Sequence, residues 1–212
     1  MQRYLRLQCI ITISLLLIAA LAGCGKAAAS ADRIGIIGAM DSEVASLKAA
    51  LENPKTTTIA GMDFYEGTLD GENVVIVKCG IGKVNAGVCA QILIDDFDTT
   101  QIINTGVAGS LDASIDIGDI VVSTDAVQHD FSLTPLGYVP GQLDGFETAS
   151  LPADESLRQK AVAAVKECAP EVSVFEGRVC TGDQFISSTE QKDTITETFG
   201  GLCCEMEGGA IA

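Results

Sequence analysis

Short apolar runs of strand length alternate with runs of helical periodicity from Arg33 onwards, and this alternation most constrains how the chain can fold. Strands are predicted at 33–38, 63–69, 73–78, 101–105, 119–123, 172–180 and 201–205, and helices at 41–51, 83–95, 154–168 and 188–199. The pattern predicts an α/β fold of stacked layers around a mixed, largely parallel central sheet. In such folds ligands bind at the carboxyl ends of the strands, where the short polar motifs of this chain lie.

The first residues predict an export signal rather than part of the fold. Arg3 and Arg6 precede an apolar run at 10–22, which is shorter than the roughly 20 residues that a transmembrane helix needs. The run ends in Leu21-Ala22-Gly23-Cys24, which resembles the bacterial lipoprotein signal, where the thiol receives a lipid and the chain is cut before it. An ordinary secretory signal with an incidental cysteine is the alternative.

The lipoprotein interpretation fixes the expected organisation and location. We expect a signal peptide at 1–23, a lipidated Cys24, a tether at 24–32 and one domain at 33–212. The protein is then exported and reaches the membrane through its lipid anchor only. With 29 acidic and 13 basic residues, the chain has a net charge of −16 and no basic patch, so nucleic acid is not an expected partner.

Cysteine usage leaves two interpretations open. Besides Cys9 and Cys24, the sequence contains six cysteines: Cys79, Cys89, Cys168, Cys180, Cys203 and Cys204. An even number in an exported protein is compatible with disulfides, whereas apolar, strand-like surroundings favour buried thiols. The sequence has no Cys-x-x-Cys pair and only one histidine, His129, so we expect no metal site. No motif predicts a cofactor.

Three glycine-containing turns follow predicted strands. The segment at 38–43, Gly-Ala-Met-Asp-Ser-Glu, puts Glu43 in the first turn of a helix, where a carboxylate either stabilises the helix dipole or serves catalysis. Lys83 follows the turn at 80–82, but the spacing of a phosphate-binding loop is absent, and close backbone packing is the simpler interpretation. The small residues at 104–109 would let a ligand approach the backbone. None of the three matches the dinucleotide-binding pattern G-x-G-x-x-G.

Two further motifs follow the last predicted strands. Thr-Gly-Asp-Gln-Phe-Ile occupies 181–186, directly after the strand predicted at 172–180. Glu205-Met206-Glu207 stands at the end of the strand predicted at 201–205. Charged groups at the end of a buried strand need a partner or a function, because burial without one is costly.

The ordered set of motifs resembles one enzyme family. IGIIGAMDSEV, GIGKVNA, INTGVAGSL, IGDIVVS, the His129-Asp130 loop, TGDQFI and CEMEG together are similar to bacterial 5′-methylthioadenosine/S-adenosylhomocysteine nucleosidases, from Arg33 to Ala212. The resemblance implies the three-layer purine nucleoside phosphorylase fold and a homodimer. It also implies hydrolysis of the N-glycosidic bond of a purine thio-nucleoside, with release of adenine.

The resemblance implies a role for each acidic motif. Cleavage of an N-ribosidic bond develops positive charge on the sugar and negative charge on the purine, so it requires a base for water and an acid for the leaving group. Glu43 corresponds to the base that activates water. Glu207 would accept hydrogen bonds from the ribose hydroxyls, and Met206 would pack on the sugar.

The remaining motifs would contact the base and the sugar. Phe185 would stack on adenine, and the backbone of Ile186 would bind the edge of the ring. The sugar and water pocket would be lined by Val107, Ala108 and Gly109. The loop at 128–145 would close the alkylthio end of the partner subunit's site.

Two positions depart from the family pattern. Family members often carry serine where this chain has Val107, so one polar contact near the water is lost. The family's general acid is an aspartate, in a Ser-Asp pair on a strand beyond the Glu-Met-Glu helix, and no residue up to Ala212 matches it. From the sequence we therefore expect a carboxyl-terminally incomplete domain with little hydrolytic activity and a tendency to aggregate.

Three alternatives to this activity remain. A nucleoside phosphorylase of the same fold would need a phosphate site, typically with arginine, and Arg33, Arg158 and Arg178 all lie outside the glycine turns, so hydrolysis is favoured. A lipid-anchored protein could bind purine nucleosides without cleaving them. A gene product without function is the third alternative.

Overall fold

A computed structural model describes residues 32–212 of the protein. The predicted signal peptide, Cys24 and all but the last residue of the predicted tether lie outside the described residues. Within residues 32–212, no helix is long and apolar enough to cross a membrane.

The first half of the described chain builds a five-stranded sheet with the order β2-β3-β4-β1-β5. Its strands are β1 (Arg33–Gly38), β2 (Glu52–Ile59), β3 (Met62–Leu69), β4 (Glu72–Lys78) and β5 (Gln101–Asn104). β1 pairs in parallel with β4 and β5, whereas β2, β3 and β4 form an antiparallel meander. Helix α1 (Asp41–Ala50) follows β1, and helix α2 (Lys83–Phe97) follows β4.

The second half builds another five-stranded sheet, with the order β6-β10-β9-β7-β8. Its strands are β6 (Gly109–Ser110), β7 (Ile120–Gln128), β8 (Leu151–Pro152), β9 (Val174–Thr181) and β10 (Cys203–Glu205). β9 pairs in parallel with β7 and β10, and the short strands β6 and β8 close the two edges in antiparallel pairing. Three helices complete this half: α3 (Glu155–Cys168), α4 (Thr189–Phe199) and α5 (Gly208–Ile211). The loop after β7 contains a 3₁₀ turn at Thr134–Leu136.

The predicted α/β fold with mixed strand pairing is confirmed, and its strands are distributed over two hydrogen-bonded sheets. The sequence prediction missed β2, because its residues are polar and largely exposed and show no alternation of apolar positions. Helix α1 begins at Asp41, with Met40 as its N-cap, and ends at Ala50, one residue before the predicted end. The strand predicted at 119–123 runs on to Gln128, because polar residues at 123–125 interrupt its apolar run, and the short strands β6 and β8 were not predicted.

The apolar core of the first sheet lies between its strands and helix α2. Ile37, Val77 and Leu93 are fully buried, and the rings of Phe64 and Phe97 stack with their centroids 4.8 Å apart. Burial of such side chains contributes about 1.5–3 kcal/mol each. The core therefore fixes the direction in which β1 and β4 end, and with it the position of the turns that follow them.

The six cysteines of the described residues are free thiols, and all but Cys168 are buried. Burial raises the pKa of Cys89 and Cys180 to about 12, so these thiols stay protonated at neutral pH. This is the interpretation that the apolar surroundings favoured over disulfides. The buried cysteines act as small apolar side chains of the core.

Candidate active site

Six parallel strands end around one region of the described chain. Three belong to the first sheet (β1, β4 and β5) and three to the second (β7, β9 and β10). Their carboxyl ends are followed by the segments 39–43, 79–83, 105–109, 129–130, 182–186 and 206–207. Hydrogen bonds from Gly82 to Glu207 and from Lys83 to Asp183 connect segments of the two sheets. The motifs singled out in the sequence therefore lie together, at the place where α/β folds bind ligands.

The carboxylate of Glu43 is oriented by three backbone N–H groups. Its Oε2 accepts hydrogen bonds from the N–H groups of Ala39 (2.7 Å) and Met40 (2.8 Å), and its Oε1 accepts one from Val107 (3.1 Å). Gly106 gives this carboxylate room, since a Cβ atom there would lie 2.8 Å from Oε1 and the carboxylate would have to shift. Oε1 therefore keeps acceptor capacity, while Oε2 is occupied by two donors.

The carboxylate of Glu207 is buried and reaches across to the first sheet. Its Oε1 accepts a hydrogen bond from the backbone N–H of Gly82, 2.7 Å away, at the start of helix α2. Burial raises the pKa of Glu207, and the hydrogen bond from Gly82 opposes this increase. The positive end of the helix dipole acts in the same sense as that bond, because it favours a negative charge.

Glu205 organises the turn that presents Glu207. Its Oε2 accepts the backbone N–H groups of Glu207 (2.9 Å) and Gly208 (2.6 Å), and its Oε1 accepts the hydroxyl of the fully buried Thr181. The Thr181 hydroxyl oxygen also accepts the N–H of Gly209 at 2.7 Å. The first glutamate of the Glu-Met-Glu motif is thus used internally, and the second is left to face the site.

The negative charges of Glu43 and Glu207 both affect the thiol of Cys79. Burial raises the pKa of the Cys79 thiol to about 11, and the negative charges of Glu207 and Glu43 add to this increase. The charge of Glu43 also raises the pKa of Glu207. Both carboxylates therefore lie close enough to Cys79 for their charges to act on its thiol.

The chain matches the Phosphorylase superfamily over residues 33–212. It is similar to the 5′-methylthioadenosine/S-adenosylhomocysteine nucleosidase of Psychromonas ingrahamii, with 44% identity over 181 residues, which are 85% of this chain and 78% of that protein. Its structure is similar to the corresponding nucleosidase of Colwellia psychrerythraea in complex with adenine, with a TM-score of 0.82, 41% identity and coverage of 86% of this chain and 75% of that one. The nucleosidase of Neisseria meningitidis in complex with methylthio-immucillin-A gives a TM-score of 0.82 at 35% identity, over 85% of this chain and 78% of that one.

The chain belongs to this nucleosidase family. Two apolar residues that the family resemblance implies as ligand contacts are exposed: Val107 by 70% and Phe185 by 85%. Exposed apolar side chains beside a polar site are typical of surfaces that contact a ligand.

The other selected residues differ in how firmly they are fixed. Ile186 packs on the small core of the second sheet, so the backbone beside Phe185 has a defined position. Met206 is half-buried, and Ala108 is exposed. Gly109 lies in β6, where its carbonyl oxygen is 3.6 Å from the Sγ of Cys204. The predicted site residues therefore follow the carboxyl ends of β1, β5, β9 and β10, except Gly109, which lies in β6.

Lys83 forms an ion pair with Asp130, in the loop after β7. Its Nζ donates hydrogen bonds to Asp130 Oδ1 at 2.6 Å and Gln128 Oε1 at 3.1 Å, and the side chains of Lys83 and Asp130 are only 17% and 13% exposed. The ammonium group is therefore engaged within the protein. The pair was not predicted, because its two members lie 47 residues apart in the chain.

His129 lies at the same strand end. Its Nε2 is buried without a hydrogen-bond partner, and Gly182 gives it room, since a Cβ atom there would lie 2.3 Å from Nε2. Burial lowers the pKa of His129, so its ring is neutral at neutral pH. Across residues 32–212, no group of three or more His, Cys, Asp or Glu side chains is arranged to hold a metal ion.

Proposed function

We propose that the protein hydrolyses the N-glycosidic bond of 5′-methylthioadenosine and S-adenosylhomocysteine and releases adenine. The observation that carries this proposal is the pair of oriented carboxylates, Glu43 and Glu207, at the strand ends of a chain that belongs to the nucleosidase family. The names of its relatives state this activity for them.

In the proposed reaction Glu43 is the base. Its Oε2 is saturated by two backbone donors, whereas Oε1 has one donor at 3.1 Å and can accept a hydrogen from water. Water that donates to Oε1 would be oriented towards the anomeric carbon. It would transfer a proton to Glu43 as the new C–O bond forms and the C–N bond to the purine breaks, and the departing purine would take up a proton from solvent. The rigid backbone environment fixes the direction of that oxygen.

Glu207 would bind the sugar. An ionised carboxylate can accept hydrogen bonds from two neighbouring hydroxyls, and its buried position makes those bonds strong. The negative charge would also stabilise positive charge that develops on the ribose ring. Met206 would pack on the sugar face.

The purine and the sugar pocket would be contacted by apolar side chains and by backbone groups. The exposed ring of Phe185 is available to stack on adenine, and the backbone of Ile186 would bind the edge of the purine. Val107, Ala108 and Gly109 would line the sugar and water pocket. The valine at 107 offers no side-chain hydroxyl to the water, so the backbone N–H that binds Glu43 is its polar contribution.

Hydrolysis is favoured over phosphorolysis by the positions of the arginines. Within the described residues, Arg33 pairs with Glu66, Arg158 with Glu155 and Glu176, and Arg178 with Asp125. Lys83 is likewise paired with Asp130. The cations that could bind phosphate are therefore engaged with carboxylates. Adenine release that does not depend on phosphate would agree with this assignment.

We further propose a homodimer. Large apolar side chains are exposed along the start of helix α2 and on the loop after β7: Ile81, Val84, Val88, Leu136, Val139 and Phe146. Exposed apolar surface of this kind is typical of association sites. The loop at 128–145 would then close the alkylthio end of the partner subunit's site. Light scattering of the purified chain measures the mass directly.

The proposed location is extracytoplasmic, with a lipid on Cys24. The support is the Leu-Ala-Gly-Cys segment, which lies outside the described residues. Incorporation of labelled fatty acid into the full chain, and its loss in Cys24→Ala, tests this location independently of activity.

The test of the proposed activity measures binding and turnover together. Titration calorimetry with adenine and with 5′-methylthioadenosine should give saturable binding, and chromatography should detect free adenine from the nucleoside with or without phosphate. Binding of neither ligand would contradict the nucleosidase proposal, and tight nucleoside binding with no adenine release would favour a binding protein.

A further inference from the structure

Helix α2 begins without a cap of its own. Its N-cap residue is Gly82, with a φ of 102°, and its first turn contains no acidic residue. The first N–H groups of a helix lack partners within the helix. Here they are supplied with carboxylates from distant parts of the chain: Glu207 Oε1 accepts the N–H of Gly82 at 2.7 Å, and Asp183 Oδ1 accepts the N–H of Lys83 at 2.8 Å.

The side chain of Lys83 closes a ring of contacts with the same region. Its Nζ donates to Asp130 Oδ1 at 2.6 Å, and Asp130 Oδ2 accepts the backbone N–H of Asp183 at 2.8 Å. Asp183 in turn accepts the backbone N–H of Lys83. The start of α2, the end of β7 and the segment after β9 are thus joined by three hydrogen bonds, each with at least one charged partner.

A fourth contact ties this ring to the turn that carries Glu207. Gln128 Oε1 accepts a second hydrogen bond from Lys83 at 3.1 Å, while Gln128 Nε2 donates to the carbonyl of Gly209 at 2.6 Å. Burial disfavours the charge of Asp130, but the hydrogen bonds from Lys83 and from the Asp183 N–H outweigh it and lower the pKa of that carboxyl group. Asp130 is therefore ionised at neutral pH.

We propose that Lys83 and Asp130 are positioning residues that fix the start of α2, and through it Glu207, relative to the segment that carries Phe185. The inference rests on the proposed function, since it assigns ribose binding to Glu207 and purine stacking to Phe185. Neither Lys83 nor Asp130 needs to touch the nucleoside. Their pair sets the separation between the ribose contact and the purine contact.

The pair differs from an ion pair that only adds stability. In this chain Arg178 and Asp125 form a comparable one, in which Asp125 is also 13% exposed and lies on β7. Arg178 donates to both oxygens of Asp125 and to the carbonyl of Phe199. These partners belong to none of the segments that hold Glu207 or Phe185. Asp125→Asn is therefore a matched control for Asp130→Asn.

The experiment is titration calorimetry of the full chain with adenine and 5′-methylthioadenosine. Asp130→Asn keeps the size of the side chain and removes its charge, and we expect it to weaken nucleoside binding about tenfold with unchanged stoichiometry. Asp125→Asn should lower the melting temperature to a similar extent and leave the dissociation constant within about twofold. Unchanged stoichiometry distinguishes a misplaced site from a fraction of unfolded protein.

A double-mutant cycle tests whether the two residues act as a pair. Lys83→Met should weaken nucleoside binding as Asp130→Asn does. The double variant should bind the nucleoside no more weakly than the single variant with the lower affinity. Losses that multiply would overturn the inference, as would equal weakening by Asp125→Asn or unchanged binding by Asp130→Asn. If the parent chain binds neither ligand, the proposed function and this inference both fail. If the parent binds and only the Asp130 result is negative, the inference alone fails.

Discussion

The carboxylate of Glu43 is oriented by N–H groups three and four residues before it and by a neighbouring strand end, whereas that of Glu207 is oriented by an N–H group 125 residues away. The first arrangement lies within one sheet, and the second joins two. Glu43 therefore depends on the local course of the chain after β1. Glu207 depends on how the two halves of the chain meet.

The two halves also differ in what stabilises them. The core of the first sheet is a large cluster of apolar side chains around Phe64 and Leu93. The second has a small apolar cluster around Val127 and Cys180, and most of the buried polar residues belong to it or to its strand ends. Apolar packing tolerates small adjustments, whereas a buried polar network loses much when one partner is removed. The comparison predicts different consequences for substitutions in the two regions.

The largest expected effect concerns the locally oriented carboxylate. Glu43→Gln keeps the size of the side chain and removes the base, so the rate of adenine release should fall at least about 100-fold relative to the parent chain. Binding of 5′-methylthioadenosine should change little. Quenched time courses and calorimetry measure the two quantities. Glu72→Gln, at an exposed position, is the control, and a Glu43→Gln rate above a tenth of the parent's would remove Glu43 from the role of base.

The second prediction breaks the local arrangement without touching the carboxylate. A Cβ atom at Gly106 would lie 2.8 Å from Glu43 Oε1, so Gly106→Ala must displace the carboxylate. We expect the rate to fall about 10- to 100-fold, because a displacement near 1 Å in a catalytic group has effects of this size. Gly87→Ala in helix α2 is the control, since its Cβ atom would have only Ala210 O nearby, at 3.7 Å. A normal rate for Gly106→Ala would show that the position of Oε1 is not critical.

The third prediction concerns the network that supports Glu207. Thr181→Val removes the buried hydroxyl that joins Glu205 to the N–H of Gly209, so the free energy of unfolding should fall by about 1–3 kcal/mol. Urea titration measures this loss. Thr56→Val, on the exposed strand β2, should change it by no more than about 0.5 kcal/mol. Equal effects at the two positions would contradict the contrast between the two halves.

The smallest effect is a pH dependence. Burial raises the pKa of Glu207 above its ordinary value of 4.5, so the folded chain binds this proton more tightly than the unfolded chain. The contribution of Glu207 to stability is therefore complete below 4.5 and is lost as the pH rises through the folded-state pKa. Relative to Glu207→Gln, the parent should lose unfolding free energy over this range. Urea titrations from about pH 4 to pH 8 measure both free energies of unfolding. A parent chain that gains unfolding free energy relative to Glu207→Gln as the pH rises would contradict the assignment.

Much of the fold and part of the site could be predicted from the sequence, for a local reason. Periodicity marked β1, β4 and α2, because burial of one face repeats along a strand or helix. Glu43 follows β1 within a few residues, so the strand prediction also places its carboxylate. The polar strand β2 carries no such repeat, and its pairing with β3 appears only in the structure.

The partners of the remaining charged residues could not be predicted, since they come from distant segments. By itself, the sequence determined the alternation of strands and helices, the ends of β1 and β4, and the motif residues that follow them. Only the tertiary structure decided that Glu205 supports the turn while Glu207 faces the site, and that Lys83 is paired with Asp130. The physical reason is that a hydrogen bond depends on distances of about 3 Å between atoms, and local periodicity does not specify distances across the fold.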